Sequence, residues 1–166
     1  MTTSVEGPFG SHLMAAGFVL NNQLTDFAFE PQLDNTRFAN APQGGKRPLS
    51  AMSPTLVFDP NGRLYAVLGS PGGWRIITYV TQTLIGMIDW GMDMPTAISM
   101  PHVAARNATV QIEAGKGLEA LTSALQGLGH EVSPQEMDSG LNAIRVRDEG
   151  YEGAADPRRE GVVGGE

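Results

Sequence analysis

The sequence predicts an α+β fold in which helices pack on antiparallel strands, and three patterns indicate it. Residues 55–58 and 64–68 are rich in β-formers, and the turn-forming segment 59–63 joins them, which predicts a β-hairpin. In residues 74–90, apolar side chains recur every four positions, which predicts a buried helix. A second, amphipathic helix is predicted where leucines follow helical spacing before a glycine: Leu118, Leu121, Leu125 and Leu128.

The rest of the chain predicts short elements separated by loops. A short helix is expected near Met94, because Pro95 suits the first helical turn. Residues 30–45 are polar and contain two prolines and a glycine pair, so they predict a loop. No internal repeat or linker divides the chain, and residues 1–166 are expected to form a single domain. Further strands are expected at residues 2–5, 17–20, 109–113, 143–147 and 151–155.

Composition narrows the function classes. The net charge of −7 argues against non-specific nucleic-acid binding, which requires a surplus of lysine and arginine. No apolar run is long enough to cross a bilayer. The absence of cysteine excludes disulfides and thiolate metal sites within the chain. His12, His102 and His130 lack metal-ligand spacing and are expected in surface or loop packing, so no metal and no cofactor is assigned.

Three polar segments suit ligand binding, and the first two also have a purely structural interpretation. Residues 21–27 place three amides and an acid at a strand end, where they can surround an ammonium or form a polar turn. Residues 46–55 hold serines between prolines, which can bind a carboxylate or stiffen the entry to the hairpin. Residues 69–73 can hold an oxyanion on backbone N–H groups. No Lys-Ser/Thr pair follows these glycines, so a nucleotide site is not expected.

Taken in this order, the segments resemble gamma-glutamyltransferase, a family of the N-terminal-nucleophile hydrolase superfamily. The resemblance extends over nearly the whole chain and implies part of an αββα sandwich, an antiparallel sheet with packed helices. It also implies a precursor that cleaves itself into a large and a small subunit, of which this chain matches the small one. The matching stretches are residues 9–11, 20–27, 47–55, 69–77 and 153–161.

Members of this family transfer or hydrolyse gamma-glutamyl groups, including that of glutathione. The reaction passes through an acyl-enzyme on an N-terminal threonine, whose α-amino group serves as the base. The resemblance therefore implies gamma-glutamyl small molecules as substrates and the large subunit of the same precursor as a partner. It suggests the periplasm or the cell exterior for a bacterial member, while the sequence itself leaves the localisation unknown.

The resemblance also implies roles for individual residues. Gly72 and Gly73 match the backbone donors of the oxyanion hole, and Ser4 matches a hydroxyl that is hydrogen-bonded to the nucleophile. Gln23 and Asp26 match the residues that hold the α-amino group of the substrate. The N–H groups of both glycines are expected to point into the same cleft as Gln23 and Asp26.

Several positions differ from the family pattern. Ser50 matches a hydroxyl that binds the α-carboxylate, but Ala51 replaces a second serine and removes one hydrogen bond. Glu6 stands where better-known members have asparagine, and its carboxylate is expected to favour the ammonium or to change the acyl group that is accepted. Residues 30–45 correspond to the lid and are shorter than in lidded members, which implies a more open site.

The start of the chain differs as well. The nucleophile of the family lies upstream of the segment that matches residues 2–6, and Thr2 lacks the histidine and the spacing of the family's Thr-Thr-His motif. Residues 1–166 alone are therefore expected to be inactive. Without the large subunit, exposed sheet edges at residues 2–5 and 55–68 are expected to make the isolated chain self-associate.

Two alternatives to gamma-glutamyl transfer stay open at this point. Glu6 and Ala51 are compatible with an acylase of glutaryl or cephalosporin type on the same scaffold. The second alternative is a non-catalytic binding module that kept the pocket and lost the nucleophile. Activity on a gamma-glutamyl anilide against a glutaryl amide separates the two enzymes, and the gene sequence upstream of Met1 tests the binding module.

Overall fold

The computed structural model describes residues 2–7 and 9–165, which belong to two compact units, Met1–Ser50 and Ala51–Glu166. Each unit has its own secondary structure. The expectation of a single domain over residues 1–166 stays a prediction.

The first unit contains two short hairpins and one turn of 3₁₀ helix at Gln23–Asp26. Both hairpins are antiparallel. In the second hairpin, Asp34 and Asn35 have φ angles of 47° and 63°, a left-handed pair that closes a tight two-residue turn. Its strands lie where the sequence predicts a loop, so that prediction is wrong there. The four strands are β1 (Met14–Ala15), β2 (Phe18–Val19), β3 (Gln32–Leu33) and β4 (Thr36–Arg37).

The strand predicted at residues 2–5 is not formed. The backbone N–H of Asn22 donates to the carbonyl oxygen of Ser4 at 3.2 Å. The side chain of Asn22 also forms hydrogen bonds with both backbone groups of Glu6. It accepts from the N–H of Glu6 at 2.9 Å and donates to the carbonyl oxygen at 3.3 Å. One amide side chain therefore replaces the partner strand that a β-ladder would require.

The second unit is an α+β structure with two sheets. Four strands form an antiparallel sheet in the order β11–β10–β6–β5, and β7, β8 and β9 form a smaller sheet. In the smaller sheet β8 and β9 are parallel, because α3 connects them as a crossover. In chain order, the elements are β5 (Thr55–Phe58), β6 (Leu64–Gly69), α1 (Ile76–Ile88), α2 (Met94–Ser99), β7 (Val103–Arg106), β8 (Thr109–Glu113), α3 (Glu119–Gly127), β9 (Glu131–Gln135), β10 (Asn142–Arg147) and β11 (Gly150–Ala155).

The sequence predicts most of these elements correctly. The hairpin β5–β6, the three helices and strands β8, β10 and β11 are confirmed. Strands β7 and β9 were not predicted. Among residues 2–7 and 9–165, β9 pairs only with β8, and it includes Pro134, a residue that edge strands tolerate but that removes the usual signal of a strand.

The core of the second unit lies between one face of the four-stranded sheet and the helices α1 and α2. The sheet contributes small buried residues, Ala66, Ala143 and Ala154, so the helices approach closely. The helices contribute larger ones, among them Tyr79 and Ile98, both fully buried. This packing fixes the segment between β6 and α1.

The opposite face of the same sheet is apolar and exposed. Leu56, Val67 and Ile144 lie side by side across three strands and are 59%, 37% and 52% exposed. Phe58 adds to this row at 57% exposure. We call these four residues the open sheet face. No helix in residues 2–7 and 9–165 is long and apolar enough to span a membrane.

Candidate active site

Four of the predicted site residues lie together in the first unit, in a group that we call the carboxylate cluster: Ser4, Glu6, Gln23 and Asp26. Ser4 donates its hydroxyl hydrogen to Glu6 Oε1 at 3.2 Å, and Gln23 Nε2 donates to Asp26 Oδ2. The carboxyl groups of Glu6 and Asp26 face each other closely enough to share a hydrogen bond. Ser50, the last residue of this unit, is exposed, and its role in binding a carboxylate stays a prediction.

The carboxylate cluster is rich in hydrogen-bond acceptors. Burial raises the pKa of Asp26, and the charge of Glu6 and its hydrogen bond raise it further, whereas the amide of Gln23 lowers it. Gln23 Oε1 is buried without a hydrogen-bond partner in the described part of the chain. Two facing carboxyl groups beside an unpaired amide oxygen suit a ligand with several N–H donors and a positive charge, such as a primary ammonium.

Neighbouring asparagines hold the cluster in place. Besides the two bonds from Asn22 to Glu6, the side chain of Asn21 accepts from the backbone N–H of Gln23 at 3.1 Å. The sequence marks both asparagines only as members of a polar segment. The structure shows that they position the backbone, while Gln23 and Asp26 present their side chains to each other.

Asn40 holds the other side of Asp26, and no pattern in the sequence indicates this role. Its Nδ2 donates to the carbonyl oxygen of Asp26 at 2.6 Å, and its Oδ1 accepts from the N–H of Leu49 at 2.8 Å. The carbonyl of Asn40 also accepts from Ala28 N–H at 3.0 Å. A single amide in the region predicted as a lid therefore joins the acid to the segment that leads to Ser50.

The glycine turn, residues 69–73, lies in the second unit between β6 and α1. Gly72 and Gly73 have φ angles of 133° and 59°, which L side chains rarely adopt. The 3₁₀ turn Gly73–Arg75 follows and leads into α1, so the turn is next to the N-terminal end of a long helix. A Cβ atom on Gly73 would meet no atom within 4 Å, so the space beside Gly73 is open.

Tyr79 supports the glycine turn from within the core. A Cβ atom on Gly72 would lie 2.6 Å from Tyr79 Cε2, so the ring fills the space where a side chain would be. Burial raises the pKa of Tyr79, and the charge of nearby Arg75 opposes this. The ring stacks at 4.3 Å on that of His102. The sequence shows Tyr79 only as one apolar residue of a helix.

A second support comes from the segment before β10. The N–H of Gly140 donates to Ser70 Oγ at 3.2 Å. A Cβ atom on Gly140 would lie 2.7 Å from the ring of Pro71, so only glycine allows this contact. The glycine turn is therefore held by Tyr79 on one side and by Gly140 on another.

A buried polar network lies behind these supports. Arg158 donates to both carboxylate oxygens of Glu113 at 2.7 Å and to Asp156 at 3.1 Å. Burial opposes ionisation of Glu113 and Asp156, but their hydrogen bonds outweigh it and lower both pKa values. Ser139 donates to Asp156 at 2.5 Å and lies 2.8 Å from His102 Nε2.

The network is structural and does not form a hydrolase triad. Ser139 already donates its hydroxyl hydrogen to Asp156, so His102 is not in a position to remove it. His102 is 1% exposed, and burial, followed by the charge of Arg158, lowers its pKa to about 4. Of the two places expected for His102, the surface is therefore wrong, because the residue is buried in the loop between α2 and β7. Within residues 2–7 and 9–165, no three His, Cys, Asp or Glu side chains are arranged to hold a metal ion.

Comparison with known proteins identifies the scaffold. The family model for gamma-glutamyltranspeptidase matches residues 1–166. The glutathione hydrolase proenzyme of Bacillus subtilis is 36% identical over 168 residues, which cover 98% of this chain and 27% of the relative. The glutathione hydrolase proenzyme of Escherichia coli is 35% identical over 167 residues, which cover 95% of this chain and 29% of the relative.

A solved structure agrees with these matches. A mutant of Helicobacter pylori gamma-glutamyltranspeptidase has 34% sequence identity and a TM-score of 0.81, covering 96% of this chain and 92% of that chain. The α+β, N-terminal-nucleophile hydrolase fold expected from the resemblance is thereby confirmed. This chain spans 27% and 29% of the length of the two curated relatives. It belongs to the gamma-glutamyltranspeptidase family.

Proposed function

We propose that the protein that carries this chain transfers and hydrolyses gamma-glutamyl groups, with glutathione among its substrates. The observation that carries the proposal is the carboxylate cluster, in which Glu6 and Asp26 face each other beside the unpaired oxygen of Gln23. A gamma-glutamyl group carries an α-ammonium, which supplies both the charge and the N–H donors that this cluster lacks. Glutathione hydrolase is also the name of the curated relatives.

Each residue of the carboxylate cluster has a role in this proposal. Asp26 and Gln23 accept hydrogen bonds from the α-ammonium, and Glu6 adds negative charge to the same pocket. Ser4, buried and bonded to Glu6, links the pocket to the nucleophile. The bound cation relieves the repulsion between the two carboxyl groups and favours their ionised forms.

The glycine turn acts on the carbonyl of the same substrate. The N–H groups of Gly72 and Gly73 stabilise the oxyanion that forms when the nucleophile attacks the gamma-carbonyl carbon. Tyr79 and Gly140 hold the turn rigid, so the donors need little reorganisation during the reaction. Ser50 binds the α-carboxylate of the substrate.

The carboxylate cluster favours this reaction over the acylase alternative. A glutaryl group is a gamma-glutamyl group without its α-amino group. With a glutaryl substrate, Glu6 and Asp26 would face each other without a cation between them, and Gln23 Oε1 would stay unpaired. The charge balance of the pocket therefore favours the gamma-glutamyl substrate.

The open sheet face supports pairing with the large subunit of the same precursor. Exposed rows of large apolar residues on a sheet usually pack against another layer of structure. Leu56, Phe58, Val67 and Ile144 form such a row. Self-association of residues 1–166 in the absence of that partner stays a prediction.

The full-length protein tests the proposed function with two matched substrates. We expect kcat/KM to be at least about 100-fold higher for gamma-glutamyl-p-nitroanilide than for glutaryl-p-nitroanilide, because the second leaves the buried Gln23 Oε1 unpaired and the carboxyl groups of Glu6 and Asp26 without a cation. Release of nitroaniline measures both. Equal rates, or a preference for the glutaryl compound, would contradict the proposal in favour of an acylase. No turnover of either would favour the binding module.

A further inference from the structure

Two arginines flank the tryptophan that follows the glycine turn. The guanidinium carbon of Arg75 lies 5.1 Å from the centroid of the Trp74 ring, and that of Arg106 lies 5.4 Å from it. Arg75 continues the 3₁₀ turn that begins at Gly73, and Arg106 is the last residue of β7. We call Trp74, Arg75 and Arg106 the cationic corner.

The charges of the cationic corner are not neutralised by nearby acids. Arg75 donates from Nε to Gln111 Oε1 at 2.9 Å, and this acceptor is neutral. Arg106 is exposed, and neither arginine forms an ion pair in the described ranges 2–7 and 9–165.

Glu113 and Asp138, two acids whose charges act on Tyr79 as the charge of Arg75 does, have other partners. Glu113 is paired with Arg158 at 2.7 Å, and Asp138 is paired with Arg159 at 3.0 Å. Two like charges at one aromatic ring repel each other, and an anion between or beside them removes that cost. In a chain with a net charge of −7, this concentration of positive charge beside an open turn indicates an anion site.

We propose that the cationic corner binds the carboxylate of the amine that leaves, or accepts, the gamma-glutamyl group. This inference rests on the proposed function, in which Gly72 and Gly73 bind the oxygen of the scissile amide. The acyl side of that amide carries the α-ammonium and the α-carboxylate, to which the proposed function assigns Asp26, Gln23 and Ser50. The amine side of a peptide substrate carries a carboxylate of its own, and guanidinium groups bind carboxylates with matching geometry.

One site serves both halves of the reaction. In the first half, an oxygen of the nucleophile forms a bond to the gamma-carbonyl carbon, the C–N bond breaks, and the amine leaves with a proton. In the second half, the nitrogen of an acceptor amine attacks the same carbon, the C–O bond breaks, and the nucleophile regains its proton. The leaving and the accepting amine occupy the same place, so both present their carboxylate to the cationic corner.

The test is acceptor kinetics in the full-length protein. The donor is gamma-glutamyl-p-nitroanilide, whose leaving group has no carboxylate. The acceptors are glycylglycine and glycylglycinamide, which has a neutral amide in place of the carboxylate. We expect Arg106→Gln to raise the KM for glycylglycine about tenfold, because a charge-assisted hydrogen bond is lost. The KM for glycylglycinamide and the rate of hydrolysis without an acceptor should stay within about twofold.

The matched control is Arg147→Gln, which removes an exposed arginine that already pairs with Glu152. It should leave the KM for both acceptors unchanged. If transfer proceeds and Arg106→Gln leaves the KM for glycylglycine unchanged, the proposed role of the cationic corner is contradicted, while the proposed function stands.

If the full-length protein turns over no gamma-glutamyl compound, the proposed function fails and binding tests the corner by itself. Calorimetric titration with glycylglycine then compares the wild type with Arg106→Gln. Binding that weakens about tenfold in the variant supports the cationic corner. Equal binding by both proteins, or binding by neither, overturns it.

Discussion

Replacing Gly72 with alanine is expected to lower kcat for a gamma-glutamyl anilide by about 100- to 1000-fold, the loss typical of one oxyanion donor. The new Cβ would lie 2.6 Å from the buried ring of Tyr79, and the φ angle of 133° is strained for any L side chain. The turn must move, and its N–H groups move with it. Steady-state kinetics with the full-length protein measure the loss.

The control for this variant is Gly69→Ala in the same segment. A Cβ atom on Gly69 would meet nothing within 4 Å, and its φ angle is not in the left-handed region. Activity should therefore stay within about threefold of the wild type, as for an unstrained Gly→Ala change. A Gly72→Ala variant as active as Gly69→Ala would contradict the role of the turn.

Replacing Arg158 with methionine is expected to lower the free energy of unfolding by about 3 to 5 kcal/mol, because it leaves two buried carboxylates without a positive partner. Arg158, Glu113 and Asp156 have side chains that are 7%, 3% and 1% exposed, so water does not screen the charges that remain. Urea denaturation of the purified protein measures the change.

The adjacent arginine provides the matched control. Arg159 and its partner Asp138 are 42% and 74% exposed, so Arg159→Met should cost less than about 1 kcal/mol. Equal destabilisation by the two variants would contradict the distinction between a buried and an exposed ion pair.

Elements with strong local signals could be predicted from the sequence. The hairpin β5–β6 has a turn of Asp, Pro, Asn and Gly between β-rich runs, and α1 has a regular apolar spacing. Short or polar elements had no such signal. The strand β9 contains Pro134, and the hairpin β3–β4 has only two residues in each strand.

The candidate site could be predicted only in part, for a related reason. Gln23 and Asp26 stand in a recognisable motif, Glu6 replaces the usual asparagine of the family, and the structure brings the three side chains together. The residues that position the site, such as Asn40 and Tyr79, act through contacts with residues distant in sequence. A single sequence does not reveal such contacts, because an asparagine in a loop and a tyrosine in a helix are common in any fold.

His102 shows the same limit for buried polar groups. In the sequence it follows a proline in a segment without any signal of burial, whereas in the structure it is buried in contact with Tyr79 and Ser139. Only the fold provides its hydrogen-bond partners, since Gln82 and Ser139 are distant from it along the chain. A lone histidine therefore carried no sequence signal for a place in the core.

The central claim, that the carboxylate cluster recognises the α-ammonium of a gamma-glutamyl group, is tested most directly by Asp26→Asn with the two matched anilides. We expect kcat/KM for gamma-glutamyl-p-nitroanilide to fall about 100-fold, because the variant loses a charged hydrogen-bond acceptor. For glutaryl-p-nitroanilide, kcat/KM should stay level or rise, because the repulsion between Glu6 and residue 26 disappears. Asp34→Asn, which changes an exposed acid in the same unit, should alter neither value. Equal losses with both anilides would contradict the claim, because the role of Asp26 would then not depend on the ammonium.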